Sequence, residues 1–367
     1  MAGELPEHFK CPISLEIMSD PVILSSGHTF DRSSIQPWLD AGHRTCPITK
    51  LPLPLHSPPL IPNHALRSLI SSFTPNPPLL PPHHPPPPET LISSLTSPAS
   101  SPRSKADALH HLTRLSKRDS LFRRRITESG VVPAVLSCFD DDSLREKALS
   151  LLLNLSLDDD NKVGLVAEGV VGRVVAVLIS GSSDCRAVAA TLVTSLAVVE
   201  VNKATIGAYS HAIGALVSLV GNGKGREKKE AATALYALCS FPDNRRRAVG
   251  CGAVAILLRS ADCGLERAVE VIGVLAKCKE GREQMEKFEG CVRILVRVLR
   301  NGSSRGIQYA LMALNSLCCN SEGIIEDVIQ EGVLEICVGL MEDDNEKIRR
   351  IASSLTQVLY GNNHQMS

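Results

Sequence analysis

The sequence predicts a small α+β domain joined by a proline-rich linker to an all-α repeat solenoid. Three observations carry this reading. Residues 5–73 hold closely spaced turn and strand signals around Cys11-Pro12, Asp20-Pro21-Val22, Gly27-His28-Thr29-Phe30 and Cys46-Pro47. Residues 74–103 are dominated by Pro, Ser, His and Leu. From 104 to 361 an Ala followed by a Leu seven residues later returns at intervals of 37 to 42 residues. A short tail, 362–367, belongs to none of these.

The first segment has the spacing of a metal domain without the ligands. A cross-braced, RING-type double zinc site needs eight Cys or His ligands, because each tetrahedral zinc takes four N or S donors. The eight places fall on Cys11, Ser14, Ser26, His28, Asp31, Ser34, Cys46 and Thr49. Two tetrahedra cannot be completed from that set, so no metal and no cofactor is expected. The loops must then be tied by hydrogen bonds and charge pairs. Ser14, Asp31 and Asn63 are the best candidates for those ties, with His28 a packed, hydrogen-bonded loop residue. Asp31 has a second role open to it, capping the helix that follows. Pro37 inside that helix argues for a start near Ser33 or Ser34. Cys11 and Cys46 lack the neighbouring base a nucleophile needs and read as small buried apolar residues.

The ordered run Cys11-Pro12-Ile13, Asp20-Pro21-Val22, Gly27-His28-Thr29-Phe30, Trp38-Leu39, Cys46-Pro47 and Leu60-Ile61-Pro62-Asn63 resembles the U-box family over Phe9–Phe73. The resemblance implies a ubiquitin ligase domain. Such a domain binds a ubiquitin-conjugating enzyme charged with ubiquitin and promotes transfer to a substrate lysine, with no covalent intermediate of its own. It also implies the docking anchors, which map to Ile13, Trp38 and Pro47. On residue type alone Trp38 reads as core before contact, and the resemblance reverses that order. Some ligases of this kind place a basic residue near the second loop to orient the charged enzyme, and Lys50 is the nearest candidate. Such domains can self-associate, so a homo-oligomer stays open.

Composition sets the remaining bounds. Lys+Arg and Asp+Glu stand at 39 each, which gives no electrostatic pull toward nucleic acid or membrane. Twelve scattered Cys without a Cys-x-x-Cys pair suit reduced thiols, hence a cytoplasmic or nuclear location. The longest apolar run, Ala187–Val199, is too short for a bilayer. Aromatics make up 3% of the chain, so a large core must be aliphatic, as in stacked helices. The basic triplets Arg123–Arg125 and Arg245–Arg247 read as solvated helix ends.

In the linker, nine of the 14 residues from Pro75 to Pro88 are Pro. Helix is excluded there. The expectation is a polyproline spacer followed by a flexible Ser-rich part, with Ser97-Pro98 and Ser101-Pro102 as acceptors for proline-directed phosphorylation.

The repeat runs Ala108, Ala148, Ala189, Ala231, Ala268, Ala310 and Ala352, with Leu115, Leu155, Leu196, Leu238, Leu275, Leu317 and Leu359. Seven residues are about two helical turns, so each pair shares one helix face. A small residue and an apolar run precede each full copy, as in Gly130-Val131-Val132 and Gly252-Ala253-Val254. An Asn ahead of a base (Asn161, Asn202, Asn244) is expected to cap a short first helix. The pattern resembles armadillo repeats. That implies five full units with a partial unit at each end, stacked as a solenoid whose third helices line a concave groove for a protein substrate. The residues before the repeat Leu are Arg114, Asn154, Ser195, Ala237, Val274, Ser316 and Val358. With one Asn among them, Asn154 is the first candidate for a substrate contact; Ser195 and Ser316 are further candidates whose expected role is packing.

A U-box ahead of armadillo repeats resembles the plant U-box/armadillo ubiquitin ligases. The alternative is a non-catalytic armadillo scaffold with an inactive U-box.

Overall fold

The computed structural model describes residues 7–53, 60–73 and 87–363. The chain divides into two compact units between His84 and Pro85.

In the first unit, β1 (Pro21–Ile23), β2 (Thr29–Asp31) and β3 (Ile61–Pro62) form an antiparallel sheet in the order β2-β1-β3. Val22 pairs with both Phe30 and Pro62. Helix α1 (Arg32–Asp40) follows β2, and α2 (His64–Phe73) follows β3. Phe9, Met18, Val22, Leu24, Phe30, Ile35, Leu39, Leu53 and Ile70 close the core with Cys11 and Cys46. Helix α1 begins at Arg32, ahead of the expected Ser33 or Ser34, because Asp31 caps it. Pro37 is therefore fully inside.

The first helix of the second unit begins at Pro88, not after 103. Residues 74–86 of the expected linker lie outside the described residues. Beyond them α3 (Pro88–Thr96) buries Leu91 and Leu95, and α4 (Pro102–Ser116) buries Ala108, Leu109 and Leu112. The Ser-rich part is thus helical. Its Leu91/Leu95 spacing makes an apolar stripe, Ser93 and Ser94 bond back to Thr90 O within the helix, and Ser101 Oγ accepts from Ser104 N at 3.2 Å, with Pro102 opening α4.

Six complete triplets follow, each a short first helix and two more. They are α5 (Ser120–Glu128), α6 (Val131–Ser137) and α7 (Asp142–Leu155); α8 (Asp159–Ala167), α9 (Val170–Ser180) and α10 (Ser183–Leu196); α11 (Glu200–Ala208), α12 (Ala212–Asn222) and α13 (Arg226–Cys239); α14 (Pro242–Gly250), α15 (Ala253–Asp262) and α16 (Glu266–Leu275); α17 (Lys279–Glu286), α18 (Cys291–Asn301) and α19 (Ser304–Cys318); and α20 (Glu322–Gln330), α21 (Val333–Leu340) and α22 (Glu346–Asn363). The expected five complete units are six among the described residues, with α3–α4 as a partial unit at the start. The last triplet differs from a cap only in its composition, which is why the sequence undercounts it.

The third helices pack in one row, α4 on α7, α7 on α10, and so on to α22. Every repeat Ala is buried there, and so is every repeat Leu except the half-buried Leu115 of the partial unit. First and second helices are separated by a residue in the left-handed region. Gly fills that place in five triplets, for instance Gly130 at φ +77°, and His211 fills it once at φ +63°. No single described helix is long and apolar enough to cross a membrane.

The predicted Asn caps do different work. Asn161, Asn202 and Asn244 lie within the first turns of α8, α11 and α14 and are buried. Each amide donates to the carbonyl of a repeat Leu six residues earlier, at 3.0–3.1 Å (Leu155, Leu196 and Leu238). Asn202 also donates to Lys162 O at 3.0 Å and Asn244 to Lys203 O at 2.8 Å, one unit back. These bonds satisfy carbonyls that helix ends leave open and lock unit to unit. Replacing Asn244 with Ala removes the two hydrogen bonds its amide donates, to Leu238 O and Lys203 O, an expected cost of about 2 kcal/mol. Chemical denaturation followed by far-UV circular dichroism reads this; a loss within error would show that water takes the amide's place.

Both basic triplets are taken up structurally. Arg124 Nε meets both Asp158 oxygens at 3.0–3.1 Å, and Arg245 Nε donates to Cys239 O at 2.9 Å. Asp141 and Asp158 cap α7 and α8.

Candidate functional site

Two chain segments of the first unit are near copies. Cys11-Pro12-Ile13-Ser14-Leu15 and Cys46-Pro47-Ile48-Thr49-Lys50 each form a turn that ends in the left-handed region, at φ +61° for Leu15 and +58° for Lys50. Their hydrogen bonds match. Cys11 N donates to Glu16 O at 2.7 Å and Leu15 N to Cys11 O at 2.8 Å. Cys46 N donates to Leu51 O and Lys50 N to Cys46 O, both at 2.9 Å. A left-handed non-glycine residue costs roughly 1 kcal/mol, so both turns are held by what surrounds their sulfurs.

Those surroundings are seven of the eight metal positions, all but His28, sorted into two clusters. Burial raises the Cys11 thiol, but N–H groups of Ser14, Asp31 and Ile13 and the Ser34 hydroxyl outweigh it and bring it below the usual value. Burial likewise raises Cys46. The Ser26 and Thr49 hydroxyls, with the N–H groups of Thr49 and Ile48, bring it down to about 7. Ser26 Oγ is buried and otherwise unpartnered. Each cluster thus gathers its sulfur where a zinc ion would gather four. Among the described residues no three His, Cys, Asp or Glu side chains are placed to hold a metal. Exhaustive dialysis against EDTA should leave the melting of the first unit unchanged; a fall of several degrees, reversed by zinc, would refute this account.

Asp31 is the strongest tie. Only 5% exposed, it accepts from Ser19 N at 2.6 Å, Ser19 Oγ at 3.1 Å and Asp20 N at 3.1 Å through Oδ2. Through Oδ1 it accepts from Ser33 N at 3.1 Å and Ser33 Oγ at 2.7 Å. It joins the 19–20 loop to α1 and caps the helix, so both expected roles fall to one side chain. Asn63 holds β3 to the hairpin: its N donates to Pro21 O at 2.8 Å and its Nδ2 to Thr29 Oγ1 at 3.2 Å. His28 stays local, Nδ1 to Ser26 O at 3.1 Å. Ser14 is corrected: its exposed hydroxyl accepts only from Glu16 N, at 3.4 Å. Ser14 reaches the cluster through its backbone, and Ser34 supplies the hydroxyl. An unforeseen tie is Asp20, paired with Arg32 at 2.8 Å and with Arg67.

The three expected anchors are carried on these turns and on α1. Ile13 is 39% exposed on the first turn, and Pro47 is half-buried on the second. Trp38 is half-buried, so it is neither pure core nor pure surface. Its Nε1 donates to Thr45 O at 3.0 Å, and its ring stacks on His43 with centroids 4.1 Å apart. Helix α1 is therefore tied to the first turn through Ser34 and to the second through Trp38. Lys50 Nζ stands 5.8 Å from the centre of the Trp38 ring. Leu15 and Ile48, at 73% and 45% exposure, extend the apolar display. The sequence signal for them was the turn repeat itself.

In the second unit, Asn154 is drawn into the packing. Its Nδ2 donates to Thr113 O at 2.9 Å and Ser116 Oγ at 3.2 Å, which leaves its Oδ1 alone for a partner. Ser195 is tied to Ser156.

The cross-braced domain followed by stacked helix triplets matches two family models. The U-box model covers residues 5–76 and the plant U-box protein ARM repeat region covers 89–366. The chain belongs to the plant U-box proteins with an ARM-repeat region. It is 61% identical to U-box domain-containing protein 8 of Arabidopsis thaliana over 98% of this chain and 99% of that one. It is 27% identical to the E3 ubiquitin-protein ligase PUB23 of the same plant, over 97% and 92%. Among solved structures, an engineered protein superimposes with a TM-score of 0.67 at 21% identity, over 74% of this chain and 68% of that one, which is a likeness of fold.

Proposed function

We propose that the protein is a ubiquitin-protein ligase whose U-box docks a ubiquitin-charged conjugating enzyme and whose ARM solenoid holds the substrate. The observation that carries this is the pair of twin turns. Each fixes a short apolar display with its sulfur cluster, and α1 places Trp38 beside the second. Transient docking needs a few apolar anchors on a rigid frame, and Ile13, Trp38 and Pro47 supply them. No nucleophile is needed, and both thiols of the U-box are buried. The ubiquitin passes directly from the conjugating enzyme to a lysine. Lys50 sits where it can leave the Trp38 face and meet the bound pair, favouring the reactive pose by orientation.

Membership of a family that includes a named ligase supports this reading, and the intact anchors weigh against a scaffold with an inactive U-box. The test is reconstitution with activating enzyme, ubiquitin and a panel of conjugating enzymes. Self-ubiquitylation by the full chain is the expected result. Silence with every member of the panel, in a folded sample, would favour the scaffold.

A further inference from the structure

One cluster on the third helices lies at the margin of the core and outside the repeat pattern. Tyr236 on α13 and Tyr309 on α19 belong to units two apart, separated by two helix spacings, roughly 16–20 Å. Their hydroxyls nevertheless hydrogen-bond, and their rings meet edge to face with centroids 5.7 Å apart. The intervening α16 lets them meet at Gly273. A Cβ there would lie 2.7 Å from the Tyr309 carbonyl oxygen and 2.9 Å from its ring. Contact across an intervening helix is geometrically available on the inner side of a curved stack, so the cluster faces the groove.

Glu270 on α16 is buried beside the rings at 5% exposure. Its Oε2 accepts from Arg267 at 2.6 Å and from Arg305 at 2.5 Å. The Arg305 guanidinium stands 5.3 Å from the Tyr236 ring centre and 6.0 Å from that of Tyr309; Arg267 stands 5.7 Å from Tyr236. Each arginine uses one nitrogen on Glu270, and its remaining N–H donors meet no described residue. The Arg305 side chain is 53% exposed. Two guanidiniums against one carboxylate leave a net positive charge. It is held against aromatic faces and presents open forks of the shape that binds carboxylate or phosphate.

We infer that this cluster is the anchoring subsite of the solenoid groove, and that the bound partner is an extended peptide segment presenting an acidic side chain, a carboxylate or a phosphate, to Arg267 and Arg305. The inference rests on the substrate-holding role proposed above. Glu270 sets the affinity by occupying one edge of each arginine. The tyrosines give the arginines a rigid seat, and the Tyr309 phenol, raised to about 12 first by burial and next by its bond to Tyr236, stays neutral beside an incoming anion.

The test uses the full chain and three fluorescent 12-residue peptides: one Glu-rich, one carrying phosphoserines, one neutral. Fluorescence anisotropy is read without conjugating enzyme or ubiquitin, so failure of the ligase reading leaves this result untouched. The wild type is expected to bind at least one acidic peptide and to ignore the neutral one. Phosphopeptide binding alone identifies phosphate; equal binding of both acidic peptides identifies the carboxylate. Glu270→Gln, which frees the guanidiniums, should bind about threefold more tightly, an effect that a purely structural role would not produce. Arg305→Gln combined with Glu270→Gln keeps the pair neutral and should lose about tenfold. Should that double variant melt early, Arg305→Lys keeps the charge, loses the fork, and should lose about threefold. Equal affinity of the arginine variants and the wild type, or no preference of the wild type for either acidic peptide, overturns the inference.

Discussion

Replacing Asp31 with Asn is expected to unfold the U-box while the solenoid stays helical. Five hydrogen bonds converge on this one buried carboxylate. An amide keeps one acceptor and turns an NH₂ toward groups that are themselves donors. Lost charge-assisted bonds and a mismatched buried donor together cost about 3 kcal/mol, which is most of what a domain of this size has. Trp38 is the only Trp in the chain, so its fluorescence reports the U-box alone, and far-UV circular dichroism reports mainly the solenoid. The Trp38 transition should move to much lower denaturant with the helical signal intact. The pH dependence gives an independent check. Burial raises the Asp31 carboxyl, but bonds from Ser33, Asp20 and Ser19 outweigh it and hold it below the usual value. A group whose folded pKa is depressed adds stability that is present above its unfolded value, near 3.9, and is lost as pH falls through the lower folded value. Wild-type U-box stability should therefore decline below about pH 4, and the Asn variant should lack that part of the decline. An unmoved Trp38 transition in the variant would remove Asp31 from its place as the central tie.

Replacing Ile13 with Ala should abolish self-ubiquitylation without unfolding anything. Ile13 is more than a third exposed, so truncation loses little buried surface and at most about 1 kcal/mol of stability. An anchor at the centre of a docking surface loses about 2 kcal/mol of binding or more, a fall in rate of about thirtyfold. Trp38→Ala should be equally silent in the assay but is a less clean variant. It also removes the Thr45 bond and the His43 stack, and so frees the second turn. Retained ligation by Ile13→Ala, with Trp38 fluorescence unchanged, would place the docking surface elsewhere.

Much of this architecture was legible in the residues. The Ala and Leu series marked each third helix, because a seven-residue step returns to one helix face. The spacing of the ligand positions marked both sulfur clusters, which take in seven of the eight. What escaped has physical reasons. Asn161, Asn202 and Asn244 suggested caps, since Asn before a basic residue is a local signal, whereas all three donate to the preceding repeat Leu and two of them also to a carbonyl a full unit away. The helix at 88–96 was hidden by proline density immediately before it, although Leu91 and Leu95 already carried its buried face. Asn154 suggested a groove contact because its bond to α4 depends on how two units stack. The Tyr236–Tyr309 contact was beyond reach for the same reason: it joins residues 73 apart in sequence through a gap left by one glycine.

That contact also changes how the solenoid should respond to force and heat. A stack in which each unit touches only its neighbours behaves like a chain of springs, able to fray from either end one link at a time. A bond between the second-nearest units closes three links into a rigid segment. The triplets from α11 to α19 then share one unfolding event, and bending is left to the flanking units. The stack should be stiffest around Gly273 and free to bend on either side of it.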